Sequence, residues 1–233
     1  MSNLRIAGAP ISWGVCEVPG WGYQLTPERV LAEMHDAGLS ATELGPDGFL
    51  PGDPGELTAL LGSHGLSCVG AFEAVLLHDA DHDPVPDVAE RLDALVAAGA
   101  PMLVLAGSAI PLCLDTGHLL IGGTDPLDLA RAVPQRIAHT HLKDVDAGLA
   151  ARVQSGELTY TEAVAQGMYR PLGAGDVDIA GIVSTLRDNG FDGWFVLEQD
   201  TILDGEPADE GPIRDVLASV TYLRGVAANS APV

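Results

Sequence analysis

The sequence predicts an α/β fold in which parallel strands and helices alternate and close into a (β/α) barrel. Three observations carry this. Short apolar runs alternate with segments of helical period along the 233 residues. Glycine, proline and capping residues punctuate the junctions between them. Polar residues able to bind a cation gather just after strands, where such barrels place their chemistry.

The third observation is plainest in LCLDTGHLLIGGTDPLDLARAVPQRIAHTHLKD, residues Leu112 to Asp144. It reads as strand, helix, strand. Leu112–Leu114 is an apolar run. Asp125-Pro126 opens an amphipathic segment with Leu127, Leu129, Ala130 and Val133 on one side, and Pro134 closes it. Arg136–Leu142 is the second strand. Asp115 and His118 follow the first strand; His139, His141 and Lys143 lie on one face of the second, because side chains alternate along a strand. A lone Asp or His is usually structural, but two strand-end clusters one βα unit apart point to a site. The chain has ten arginines and one lysine, and the lysine is Lys143. Arg and Lys are not interchangeable at a site, so a specific role for Lys143 follows.

In chain order, Leu4–Ser12 is the first strand. Thr26-Pro27-Glu28 starts a helix, with Thr as N-cap and Pro in the first turn; Val30, Leu31, Met34 and Ala37 keep its period, and Gly38 ends it. Ser40–Leu44 is the second strand. Asp53-Pro54 opens a second helix that stops at Gly65. Leu66–Ala74 is the third strand, Pro86–Ala98 the third helix, and Met102–Leu105 a strand apolar on both faces. Beyond Lys143, Ala147–Gly167 is rich in helix, and Pro171–Asp178 is a loop ending in an N-cap. Ile179–Asn189 is a helix stopped by Gly190. Gly193–Leu197 is the last strand with Glu198 at its end, Asp209–Val226 the final helix, and Ala227–Val233 a frayed tail.

One junction breaks the alternation. Only about six residues separate the Met102 and Leu112 strands, whereas a parallel crossover needs about a dozen or more.

The bulk properties bound the function. No linker or change of composition divides the chain, so residues 1–233 read as a single domain. The net charge of −22 disfavours nucleic acid and anionic membranes as partners. No glycine-rich phosphate loop is present. Cys16, Cys68 and Cys113 form no disulfide framework and read as buried small hydrophobes. MSNLRIAG has no signal-peptide profile, and no apolar run reaches the roughly 20 residues of a membrane helix. A soluble, cytoplasmic protein without membrane partners is expected.

Six motifs in order, APISWG, TELGPDGFLP, LCLDTGH, HTHLKD, PLGAGDVD and WFVLEQD, resemble the sugar phosphate isomerase/epimerase family of xylose isomerase-like TIM barrels. The branch they look most like is inosose dehydratase. The resemblance implies a TIM-type (β/α) barrel with a divalent metal (Mn, Co or Mg) at its C-terminal mouth. Asp115, His141 and Glu198 match the family's metal ligands. Glu198 also matches a possible base, and His118 and Lys143 match groups that orient or polarise substrate oxygens. The remaining family ligand is a Glu from the fifth strand, which would fall between Ile110 and Pro111. The chain is therefore expected to lack helix 4, strand 5 and helix 5. That leaves about seven strands, open near residues 106–112, with a tendency to dimerise there. The implied activity is a metal-dependent reaction on a polyol or sugar α-hydroxyketone through an enediolate, as in inosose dehydratase. A sugar isomerase or epimerase is one alternative; a catalytically degenerate barrel with a binding or structural role is another. Glu43 reads equally as a substrate contact or a solvated acid. Trp13 reads as a pocket wall or as core. Glu73 and His78 read as mouth or surface residues, and Glu73 is a possible substitute for the missing ligand.

Overall fold

A computed structural model of the chain describes residues 4–73, 88–89, 92, 95–97, 99–100, 102–105, 112–207 and 210–229. Seven strands form one parallel sheet: β1 (Ile6–Gly8), β2 (Ala41–Glu43), β3 (Ser67–Glu73), β4 (Leu103–Leu105), β5 (Leu112–Asp115), β6 (Ile137–Leu142) and β9 (Phe195–Leu197). Their order is β4-β3-β2-β1-β9-β6-β5. Each adjacent pair is parallel, so all C-terminal ends emerge on one side of a nearly closed barrel. Among the described residues β4 and β5 are the two edges. Gly107–Pro111, where the short junction falls, lies outside the described residues, as do His78 and the side chain of Glu73.

The helices follow from local signals. In α1 (Pro27–Asp36) Thr26 caps the amide of Arg29, and in α2 (Pro54–Ser63) Asp53 caps Gly55 and Glu56. A short α3 (Thr116–Ile121) begins directly after β5, followed by α4 (Pro126–Ala132). α5 (Ala147–Gln154) and α6 (Tyr160–Ala165) follow, then α7 (Ile179–Asp188) and α8 (Pro212–Asn229). The last helix runs past the expected end at Val226. A two-stranded antiparallel ladder, β7 (Asp144–Val145) with β8 (Tyr169–Arg170), was not legible in the sequence. The first strand is also shorter than expected. Pro10 ends it by opening a 3-10 turn over Pro10–Trp13, because proline has no amide to extend the ladder.

Most of the apolar core lies between sheet and helices: Val30, Leu31, Met34, Leu114, Leu142, Ile179, Ile182, Leu186 and Leu223 are almost fully buried. A second, smaller cluster consists of Ala7, Ala9, Ala41, Val69 and Val196. These small side chains come from β1 and the residue just after it, β2, β3 and β9, and they suit the narrow interior of a seven-strand barrel. Two irregularities re-aim strand ends. Thr42 pairs with Cys68 but Glu43 with Gly70, and Leu112 pairs with Ile137 but Cys113 with His139. Bulges of this kind are common beside active sites.

Trp13 belongs to the core. It has no exposed surface, and its Nε1 donates to Glu33 Oε2 at 2.8 Å. Its reading as a pocket wall is therefore corrected: burying the indole among α1 and β1 removes more apolar surface from water than leaving it at the mouth. Trp13→Ala should cost about 3–5 kcal/mol, the range for truncating a buried aromatic. Urea unfolding measures this; a loss under 1 kcal/mol would contradict the packing.

Candidate functional site

The C-terminal ends of the strands surround a cavity of about 410 Å³. Its polar floor is Glu43 from β2, Asp115 from β5, His141 and Lys143 from β6 and just beyond, and Glu198 and Asp200 after β9. Its apolar wall is Ile11, Val15, Val18, Trp21 and Phe72, and His118 and Tyr160 complete the rim. The structure thus brings Glu43, Asp115, His118, His141, Lys143 and Glu198 into one cavity and leaves Trp13 out of it. The indole at the cavity is Trp21, held by its Nε1 donating to Thr201 O at 2.9 Å.

His141 stands at the centre. Its Nδ1 lies 3.3 Å from Glu198 Oε2 and 3.7 Å from Asp115 Oδ2. Its Nε2 lies 3.0 Å from Glu43 Oε1 on the other side. One ligand atom each from Asp115, His141 and Glu198 falls within 4.8 Å of the others, and so does one each from Glu43, His139 and His141. Glu43 is only 3% exposed, so it is no solvated acid; His139 Nε2 approaches the same Oε1 at 2.8 Å. His139, on the site-facing side of β6 by alternation, lies at the bottom of this group with 1% exposure.

Lys143 is equally buried. Its Nζ donates to Asp200 Oδ1 at 2.6 Å, and it lies 3.1 Å from Glu198 Oε2 and 3.8 Å from Asp115 Oδ2. Thr116 Oγ1 fixes its backbone, donating to Lys143 O and accepting from Lys143 N. Gly117 is required beside it, because a Cβ there would sit 2.7 Å from Lys143 Cβ and 2.8 Å from Tyr169 Cε1. Asp200 Oδ2 accepts from the Tyr160 hydroxyl, which lies 2.8 Å from Tyr169 OH and 3.4 Å from His118 Nε2. His118 Nδ1 lies 2.9 Å from Asp115 Oδ2, with the imidazole half exposed at the rim.

The charges follow from this packing. Burial works against ionising Asp115, but the Lys143 ammonium and the hydrogen bond from His118 override it and hold the carboxyl well below its ordinary range. Burial also opposes charge on Lys143 and on His141. For Lys143, the carboxylates of Glu198, Asp200 and Asp115 win and raise its pKa well above normal; for His141, those of Glu198 and Glu43 do the same. Burial wins at Glu198, whose pKa is raised despite His141 and Lys143. At Glu43 burial loses to His141 and His139, and the pKa falls. Burial and Asp200 push the Tyr160 phenol up.

Sequence reading missed Asp200, Tyr160 and Trp21. Asp200 carried a weak signal, two residues past Glu198 in the quoted LEQD. Tyr160 and Trp21 carried none, since each lies on a helix or loop far from the strand ends in sequence. Asp144, in the quoted HLKD, serves the fold instead. Its carboxylate accepts from the amides of Gly173, Gly175 and Val177 and so pins the PLGAGDV loop. Gly175 leaves the room, because a Cβ there would come within 2.3 Å of Asp144 Oδ1.

A family profile described as xylose isomerase-like TIM barrel matches residues 105–221. The inosose dehydratase of Geobacillus kaustophilus (strain HTA426) is 26% identical over 278 aligned residues, covering 85% of this chain and 88% of that protein. The rhizopine catabolism protein MocC of Rhizobium meliloti is 25% identical over 268, covering 85% and 82%. Both alignments are longer than the chain itself, so each relative carries residues inside the matched stretch with no counterpart here, as a shortened barrel requires. Among solved structures, the IOLI protein with a bound zinc atom superposes with a TM-score of 0.65 at 12% identity, over 99% of this chain and 100% of that one. The D-allulose 3-epimerase from Methylomonas sp. in complex with D-allulose gives a TM-score of 0.59 at 14% identity, over 97% and 98%. These two share the fold. No described helix is long and apolar enough to cross a membrane. With half of the chain under the family profile and seven parallel strands around a polar C-terminal mouth, the chain belongs to the xylose isomerase-like TIM barrel family.

Proposed function

We propose that the chain is a metal-dependent enzyme acting on a polyol or sugar α-hydroxyketone, with dehydration of a keto-inositol as its reaction and sugar isomerisation or epimerisation as the alternative. One observation carries the reading: Asp115, His141 Nδ1 and Glu198 converge beside the Lys143 ammonium on the floor of an open cavity. Inosose dehydratase as a relative supports the substrate class.

Two carboxylates and one imidazole fit a hard or borderline divalent ion such as Mn²⁺, Co²⁺ or Mg²⁺. Bound there, such an ion supplies Lewis acidity for the charge that an enediolate develops on two adjacent oxygens. The remaining work belongs to the chain. Lys143, held charged by three carboxylates, polarises the carbonyl oxygen from the cavity floor. Glu198, 3.1 Å from the Lys143 ammonium on the cavity floor, is the base that takes the proton next to the carbonyl. His118 reaches over the rim, tied to Asp115 and Tyr160, and orients a hydroxyl of the substrate. Trp21 and the apolar wall exclude water from the other side. Departure of the hydroxyl β to the carbonyl as water, protonated by the acid that Glu198 has become, completes a dehydration; return of that proton to another carbon completes an isomerisation.

The test is an assay of protein stripped of metal and reloaded with Mn²⁺, Co²⁺ or Mg²⁺, followed for keto-inositol loss and, in parallel, for ketose epimerisation. Metal-dependent loss of keto-inositol is expected. Metal-dependent epimerisation alone would move the chain to the alternative. Neither activity from protein with metal bound would sink the enzyme reading and favour a degenerate barrel, for which β4 and β5 as the two edges of the sheet among the described residues are the structural argument.

A further inference from the structure

We infer that the barrel contains a second cation site below the first, formed by Glu43, His139 and His141 Nε2, and that it takes a zinc-type ion in competition with the upper site. The three side chains come from β2 and β6 and point inward, and each is less than 5% exposed. His139 Nε2 and His141 Nε2 lie 2.8 and 3.0 Å from the same atom, Glu43 Oε1, and the three potential ligand atoms fall within 4.8 Å of each other. Ligand bonds of about 2.0–2.1 Å to Zn²⁺ need only a small spreading of that triangle.

The composition of the two clusters separates them. The upper set has two carboxylates and one imidazole; the lower has two imidazoles and one carboxylate. Two His with one Glu is a set that zinc enzymes use, whereas carboxylate-rich sets suit Mn²⁺ or Mg²⁺. Of its three residues only His139 does not line the cavity, and all three are less than 5% exposed, which sets the lower site deeper in the barrel than the upper one.

His141 makes the two sites antagonists. A neutral imidazole has one lone pair for a ligand and one N–H. With the ion above, Nδ1 binds it and Nε2–H donates to Glu43. With the ion below, Nε2 binds it and Nδ1–H donates to Glu198 or Asp115. Each ion thus takes from the other site the nitrogen it needs, and zinc in the lower site would inhibit an enzyme that works with Mn²⁺ above.

The inference shares His141 with the proposed function but fails separately from it. The double variant Asp115→Asn, Glu198→Gln keeps side-chain shape and removes the upper site's charges. Metal analysis and calorimetry with Zn²⁺ should still find one ion per chain, and adding His139→Gln should lower zinc affinity at least ~10-fold, as expected when a ligand or its supporting group is lost. A folded double variant that binds no zinc, while the parent binds Mn²⁺, would overturn the lower site and leave Glu43 and His139 as hydrogen-bond partners of His141. If the double variant does not fold, the single variant His139→Gln decides: it must lose zinc affinity and keep the parent's Mn²⁺ affinity. Unchanged zinc affinity sinks the inference. A parent that binds zinc through His139 but shows no Mn²⁺ binding would sink the proposed function and leave this site standing.

Discussion

Asp115→Ala should abolish Mn²⁺ binding and lower kcat/KM by about three orders of magnitude or more. A metal's Lewis acidity is worth several kcal/mol of transition-state stabilisation, and each 1.36 kcal/mol is about tenfold in rate. Asp115 has a second task, which complicates the reading. Its Oδ1 accepts from the amide of His118 at 2.8 Å and caps α3. Losing an N-cap costs about 1 kcal/mol, so the alanine variant should also melt earlier. Asp115→Asn separates the two effects, because asparagine caps as well as aspartate but brings no charge to the ion. The expected pattern is that both variants lose Mn²⁺ affinity by calorimetry while the asparagine variant melts close to the parent. If either binds Mn²⁺ as tightly as the parent, Asp115 is no ligand and the site assignment is wrong.

Lys143→Met should lower turnover more than ~10-fold, the scale for removing one positioned electrostatic group. It should also destabilise the protein. The ammonium is 3% exposed and lies among Asp115, Glu198 and Asp200, and removing one partner of a buried charge cluster costs about 3–5 kcal/mol. For a chain of this size each kcal/mol moves Tm by roughly 2–4 °C, so a drop on the order of 10 °C is expected. The two effects are read apart by measuring kcat well below the variant's own Tm, on protein shown to be folded. A full rate with a lowered Tm would make Lys143 a structural ion-pair partner and remove it from the mechanism. The three carboxylates around Lys143 give it a part in stability beside the role on substrate proposed for it.

What could be read from the chain follows the range of the forces involved. Helix starts at Thr26 and Asp53 were legible because a cap and its amide are two or three residues apart. The convergence of Asp115, His141, Lys143 and Glu198 on one mouth was legible because strand alternation and a parallel topology together fix which ends meet. The shortened barrel was legible as a junction too short for a helix, and the seven-stranded sheet with β4 and β5 at its edges agrees with it. The small α3 was not, since the TGHLLI run has too few turns to show a period.

The amino-acid sequence by itself thus determined the order of the seven sheet strands and the longer helices, the family, and the arrival of Asp115, His141, Lys143 and Glu198 at the C-terminal face. Only the tertiary structure decided what each of them touches there. Glu43 meets His139 and His141 across separations of 96 and 98 residues, Lys143 meets Asp200 across 57, and Tyr160 meets Asp200 across 40. Trp13 turns to the helices while Trp21, eight positions on, lines the cavity. No local period or cap encodes such pairings. They arise when barrel closure forces charged side chains out of water, where each must find a partner or lose its charge, and the partners available are set by the whole circuit of strands.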